Sequence, residues 1–145
     1  MVRLNIDKKY ADFCRKEIKE KNVLGFKTAD ALDLYMFLFA IGVNEGYRSK
    51  LKAKDAFILD LLSSNNENKL MYYSFIHSVA LQELLKEGKE NEINNMNIVY
   101  GIADEYVNTG NEVLKRMIDS YQKFDNETFI YEMIEKLNKK IEEIE

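Results

Sequence analysis

The chain is expected to be mainly α-helical: a compact domain of five to six helices around a buried central helix at about 28–45, with a short N-terminal strand. Three observations lead there. The 145 residues include no Pro and only six Gly, which favours long helices and short connections over a sheet with many tight turns. Apolar residues recur at helical spacing in most segments. From Ala31 to Val43 only Asp33 and Gly42 interrupt the apolar side chains, so that helix has almost no face to show to water. Its apolar run falls far short of the roughly 20 residues that cross a bilayer, so a buried helix is expected rather than a membrane span.

The elements follow in order. Val2, Leu4 and Ile6 alternate with Arg3 and Asn5, the period of two of a short strand with one apolar face. Asp7 stands where an N-cap would, and Tyr10, Phe13, Cys14, Glu17, Ile18 and Lys21 carry the spacing of an amphipathic helix ending near Asn22. Gly25 breaks the pattern, Thr28 can cap the central helix, and Asp30 and Asp33 put negative charge near the helix N-terminus. After a turn at Asn44, Glu45 and Gly46, residues 47–54 read as an exposed loop displaying Arg48, Lys50, Lys52 and Lys54. Ala56 to Leu62 is a short apolar run compatible with helix or buried strand.

The polar SSNNEN segment is a break before a helix marked by Leu70, Tyr73, Ile76, His77, Ala80, Leu81, Leu84 and Leu85, closing near Gly88. Ile93 to Val107 reads as another helix, with Gly110 beyond its end, and Asn111 to Phe124 as a further one. In the last helix, capped by Asp125 or Asn126, Ile130, Ile134, Leu137, Ile141 and Ile144 alternate at spacings of four and three, as in a coiled-coil seam. That stripe suits docking onto the rest of the domain or a homodimer seam. The whole of 1–145 is read as one domain: a strand-helix-helix module at 1–45, a helical body at 55–124 and the amphipathic helix at 125–145.

Charge is divided along the chain. Residues 1–54 carry twelve Lys/Arg against seven Asp/Glu, whereas residues 55–145 carry nine against eighteen. The basic part could face phosphates or an acidic protein, and the acidic remainder would repel nucleic acid, although ordinary solvated faces would also produce this division. Cys14 is the single cysteine and has no internal disulfide partner, and no signal peptide pattern opens the chain, so a reducing cytoplasm is the expected compartment.

Catalytic readings find little to stand on. His77 is the one histidine and follows Ile76 in an apolar helix, a structural position; a nucleophile would have to be Cys14 or a serine meeting it across the fold. Neither G-x-x-x-x-G-K-[ST] nor G-x-G-x-x-G occurs. Asp104, Glu105 and Glu112 lack the Glu-x-x-His companions of helical carboxylate metal sites and read as a solvated face. No enzyme activity, cofactor or metal is expected, and function is expected to lie in binding. The basic loop of Arg48, Lys50, Lys52 and Lys54, anchored by the buried helix before it, is the candidate contact surface for a partner or nucleic acid.

Two resemblances give this a direction. The order of strand, basic helix, Gly25 turn and Thr28-capped apolar helix resembles ribbon-helix-helix DNA-binding proteins over about the first 45 residues. That resemblance implies two chains pairing their strands in the major groove, Arg3 and Asn5 reading bases, and Lys27 and Thr28 at the helix N-terminus holding phosphate. A second covers residues 26–114. Phe26-Lys27-Thr28, Asp33-Leu34, the FLFAIGVNEGYRSKL stretch at 37–51 and the IADEYVNTGNEVL stretch at 102–114 are similar to small accessory proteins of bacterial DNA phosphorothioation (sulfur-modification) and restriction systems. In those proteins a Pro stands at the position of Lys50, and a Gly pair at Thr109-Gly110. This resemblance implies a non-catalytic accessory or regulatory component of a DNA-modification or phage-defence system that binds a partner protein and potentially DNA. The alternatives are a ribbon-helix-helix transcriptional regulator, and an immunity-like inhibitor or adaptor without DNA contact.

Overall fold

The computed structural model describes residues 2–20, 30–120 and 126–144, without the side chains of 17, 19, 20, 126–129 and 144. Among these residues the order is β1 (Leu4–Asp7), a π-helix (Phe13–Glu20), α1 (Ala31–Glu45), β2 (Lys54–Ile58), α2 (Lys69–Lys86), α3 (Met96–Asp119) and α4 (Asn126–Ile144). Among the described residues the fold is mainly helical, with five helices besides two single-turn 3-10 segments, and one small antiparallel sheet.

The central helix forms where the apolar run places it. Its cap is Asp30, whose side chain accepts from the Leu32 N–H at 2.8 Å, so α1 begins at Ala31; Gly25, Lys27 and Thr28 lie outside the described residues. Gly46 ends it with φ 83°, the left-handed conformation that glycine adopts without a Cβ penalty. Leu32, Tyr35, Leu38 and Phe39 are fully buried, each such side chain contributing about 1.5–3 kcal/mol. Phe39 meets Phe75 of α2 and Tyr106 of α3 edge-on, with ring centroids 5.1 and 6.0 Å apart.

α3 is one continuous helix of 24 residues where the sequence led to two. Gly110 lies in its middle, and a Cβ built there would overlap the main-chain carbonyl of Leu38. Across the same crossing a Cβ on Gly42 would overlap the carbonyl of Tyr106. The two glycines therefore serve close backbone approach of α1 and α3, and Gly110 terminates nothing.

The N-terminal strand forms, and the ambiguous 56–62 run begins with its partner. β1 pairs antiparallel with β2, with Leu4 opposite Ile58, Asn5 opposite Ala56 and Asp7 opposite Lys54, and Phe57 is the extra residue at the irregularity. Leu4 and Ile6 point into the core, fully buried, while Arg3 is exposed, as the alternation requires. Asp7 caps the turn after β1 by accepting from Lys9 N–H at 3.2 Å. The segment that follows is π-helical rather than α-helical and buries Phe13, Cys14 and Ile18. Arg15 ties it to the sheet, 2.7 Å from Asp55 and 3.0 Å from the Ala56 carbonyl.

The polar 63–68 segment is a staple rather than a plain break. The Asn66 amide donates to Asp30 and Asp33 at 2.9 Å each, and the Tyr72 hydroxyl donates to Asp33 at 2.6 Å, binding the start of α2 to the start of α1. α4 docks through buried Met133 and through Lys136 and Lys140, 3.4 and 3.1 Å from the Glu45 carboxylate. Of its expected seam, Ile130 and Leu137 are half-buried, Ile134 and Ile141 are exposed, and the Ile144 side chain lies outside the described residues.

Replacing Gly42 or Gly110 by Ala should lower stability by about 3 kcal/mol or more, because backbone faces backbone and neither helix can yield cheaply. Gly101→Ala, where nothing lies within 4 Å, should instead gain about 0.5–1 kcal/mol from helix propensity. Urea unfolding midpoints of the three variants check the contrast.

Candidate functional site

The basic loop is built on α3. After Gly46 the chain makes no ladder of its own, so its polar backbone needs partners from elsewhere. Thr109 donates to the Tyr47 carbonyl at 2.9 Å, and the Asn108 amide donates to the carbonyls of Ser49 and Lys50 at 3.1 and 3.2 Å. Ser49 N–H donates to the Glu105 carbonyl at 3.2 Å, and Lys52 N–H to the Asp7 carboxylate at 2.8 Å. Asn108, Thr109 and Asp7 are all buried, so the loop is held from beneath by enclosed polar side chains, although the Asn108 Oδ1 itself finds no hydrogen-bond partner among the described residues.

Arg48 differs from the lysines beside it. Its guanidinium lies 2.9 Å from Glu87, 3.4 Å from Glu105 and 3.9 Å from Glu83, joining the loop to α2 and α3. The Tyr106 hydroxyl donates to Glu83 at 2.7 Å, and burial, then that carboxylate, raises the phenol pKa. Arg48 is thus a neutralised clamp. Lys50, Lys52 and Lys54 are exposed and, among the described residues, form no ion pair.

Beside the loop runs an open groove of about 540 Å³ between Arg48, Lys50 and Lys54 on one wall and Asn97, Gly101 and Glu105 of α3 on the other. It continues into a recess of about 370 Å³ that reaches Arg3, Asn5 and Tyr100. Gly101 leaves space where a side chain would stand, and Lys54, Asn97, Gly101 and Asp104 line both parts.

Asp104 sits under this junction, only 2% exposed, against the expectation of a solvated carboxylate. Its Oδ1 accepts from Asn5 N–H at 2.8 Å and from the Tyr35 hydroxyl at 2.7 Å, and its Oδ2 accepts from the Asn5 side-chain amide at 3.1 Å. Burial pushes its pKa up from the ordinary 3.8 to about 7, against the pull of those donors and of Lys54. The sequence carries a signal for this: Asp104 stands four residues after Tyr100 and three before Val107, on the apolar stripe of its helix.

The other sequence candidates fall as follows. Arg3 is exposed at the recess, while both the main-chain N–H and the side-chain amide of Asn5 are committed to Asp104. Lys27 and Thr28 lie outside the described residues. His77 is half-buried, its Nδ1 2.9 Å from the Tyr73 carbonyl, and is not among the groove residues. The Cys14 thiol donates to Asn111 at 3.2 Å, and burial pushes its pKa up to about 12, a poor nucleophile. Among the described residues no group of three His, Cys, Asp or Glu is placed to hold a metal ion, and no helix is long and apolar enough to cross a membrane. The chemistry that the groove offers is ionic and hydrogen-bonding recognition along an open surface.

Comparison with protein-family models, with curated proteins and with solved structures finds no match for this chain.

Asp104 makes stability depend on pH. The folded chain holds this proton up to about pH 7 and the unfolded chain releases it near 3.8, so the stabilisation is complete below the lower value and lost as pH rises through the upper one. Melting temperatures between about pH 5 and pH 8 should fall less steeply in Asp104→Asn than in the wild type.

Proposed function

We propose that this chain is a non-catalytic accessory or regulatory component of a bacterial DNA-modification or phage-defence system, working in the cytoplasm by binding a partner protein. The contact surface is the Lys50, Lys52 and Lys54 loop with the groove beside it. One observation carries the reading: Lys50 and Lys52 on the loop and Lys54 at the start of β2 are exposed and form no ion pair among the described residues, and the loop backbone is held by buried Asn108, Thr109 and Asp7. A surface ordered before its partner arrives loses little entropy on binding. The modification-system context rests on the resemblance of residues 26–114 to phosphorothioation accessory proteins.

The groove favours a protein partner over a nucleic acid. Glu87, Glu92 and Glu105 line it together with the lysines, and Arg48 is already neutralised, so a continuous polyanion would meet repulsion as well as attraction. An acidic segment with its own interspersed cations complements such a rim. DNA remains the second reading for one reason: Arg3 and Lys54 line the same recess, so cations from the strand and from the loop converge there.

Affinity purification of the full chain from its native host should retain one stoichiometric partner, and Lys50→Glu with Lys54→Glu should release it while the melting temperature holds. Absence of a stoichiometric partner sinks the proposal. In an anisotropy titration, affinity for duplex DNA that falls steeply with salt and weakens in Arg3→Ala and Lys50→Ala would move the assignment to DNA.

A further inference from the structure

The recess beside the groove is lined by a carboxyl group whose proton lacks an acceptor within the fold. Asp104 is buried yet lines both the recess and the groove. Its Oδ1 accepts from Asn5 N–H and from the Tyr35 hydroxyl, which uses both lone pairs. Its Oδ2 accepts from the Asn5 side-chain amide alone and keeps one position open. Among the described residues all of these partners donate, so they serve the ionised carboxylate. Burial nevertheless keeps the group neutral up to about pH 7, and the neutral form carries an O–H that none of these donors can accept.

The remaining walls select the chemistry of an acceptor. Arg3 ahead of β1 and Lys54 on β2 line the recess, both exposed and, among the described residues, without an ion pair. Gly101 leaves the α3 wall open, since a Cβ there would meet nothing within 4 Å. Asp104 is the one acidic residue among the described lining of the recess, whereas Glu87, Glu92 and Glu105 line the adjoining groove. Two cations and a carboxyl donor suit a compact anion of single charge that accepts hydrogen bonds, and an acidic side chain is such a group. A phosphate of a duplex fits less well, because its neighbours along the strand would be carried against the groove carboxylates.

We propose that the recess is a carboxylate-binding subsite, in which an acidic side chain of the partner lies between Arg3 and Lys54 and accepts a hydrogen bond from protonated Asp104. The source of that carboxylate rests on the protein-partner reading above; the subsite rests on the recess alone. Binding holds the Asp104 proton in place, so affinity is full while the carboxyl is neutral and falls as it ionises. The charged and titratable groups around Asp104 are Arg3 before β1, Tyr35 on α1, Lys54 on β2 and Tyr100 on α3, with Glu87 and Glu105 engaged by Arg48. Burial raises both tyrosines above their ordinary value, and lysine and arginine side chains are cationic around neutrality, so the titration is that of Asp104.

Acetate and dimethyl phosphate, both monoanions throughout the range from about pH 6 to about pH 8, are the probes. Each is titrated into the full chain at constant ionic strength, with the amide NMR signals of Asn97 and Gly101 as the readout. Acetate should move both signals, with an affinity about tenfold weaker at the upper pH than at the lower. Asp104→Asn, whose amide stays neutral, should remove that dependence, and Arg3→Ala and Lys54→Ala should weaken binding at both ends. Gly101→Leu, which has open space for its side chain, should abolish binding without lowering the melting temperature. Silence of both probes overturns the inference, as does acetate binding that ignores pH in the wild type. Tighter binding of dimethyl phosphate than of acetate overturns it in favour of a phosphodiester site. A stoichiometric partner captured by a chain that ignores acetate strikes the subsite alone, whereas pH-dependent acetate binding with no partner captured upholds the subsite and strikes the partner reading.

Discussion

Contact between the backbones of α1 and α3 is the constraint on which the remaining structure depends. Side chains normally hold helices apart, but at Gly42 and Gly110 no atom of either residue stands between the two main chains. α3 thereby lies against the most apolar helix of the protein while keeping a second flank for other work. Around its circumference successive residues serve different neighbours: Asp104 takes β1, Glu105 takes Arg48, Tyr106 takes Glu83, Asn108 and Thr109 take the loop, and Asn111 takes Cys14. The crossing brings all of these partners within reach at once.

Burial of polar groups follows from the same geometry. A loop that crosses a helix without secondary structure would leave main-chain groups without partners, at a cost of several kcal/mol in a dry setting. Asn108, Thr109 and Asp7 supply those partners, and the lysines are presented on a loop whose main chain is tied down from beneath. Asp104 shows the limit of such compensation. It accepts three hydrogen bonds, and burial still outweighs them and lifts its pKa toward neutrality. Arg48 shows the opposite balance, a cation so well surrounded by carboxylates that it links elements rather than recognising a ligand.

The helices α2 and α4 share a surplus of apolar surface but dispose of it differently. α4 is tied down by Met133 and by the Glu45 ion pairs, which leaves Ile134 and Ile141 to one side of its docking face. α2 buries one apolar face and exposes another, so its periodicity alone gives no clear inside and outside. That is why residues such as Leu81 and Leu85, counted from the sequence as part of a core stripe, emerge at the surface.

Fold class, the central helix, the N-terminal strand, the Asp7 cap and the positions of the lysines were all legible in the residues themselves. Each depends on a local cause: apolar periodicity, a capping side chain, alternation, or charge on a segment too polar to be buried. Helix continuity through Gly110 was not legible, because a glycine that admits a neighbouring backbone and a glycine that ends a helix look alike until the neighbour is in place. The choice of strand at Lys54–Ile58, the neutralisation of Arg48 and the burial of Asp104 share that origin, since each depends on a group distant in sequence. The sequence by itself determined which segments are helical, which stretch is core and where positive charge is displayed. Only the tertiary structure decided which polar residues are enclosed and which cations are free, because desolvation and ion pairing are properties of neighbours brought together by the fold.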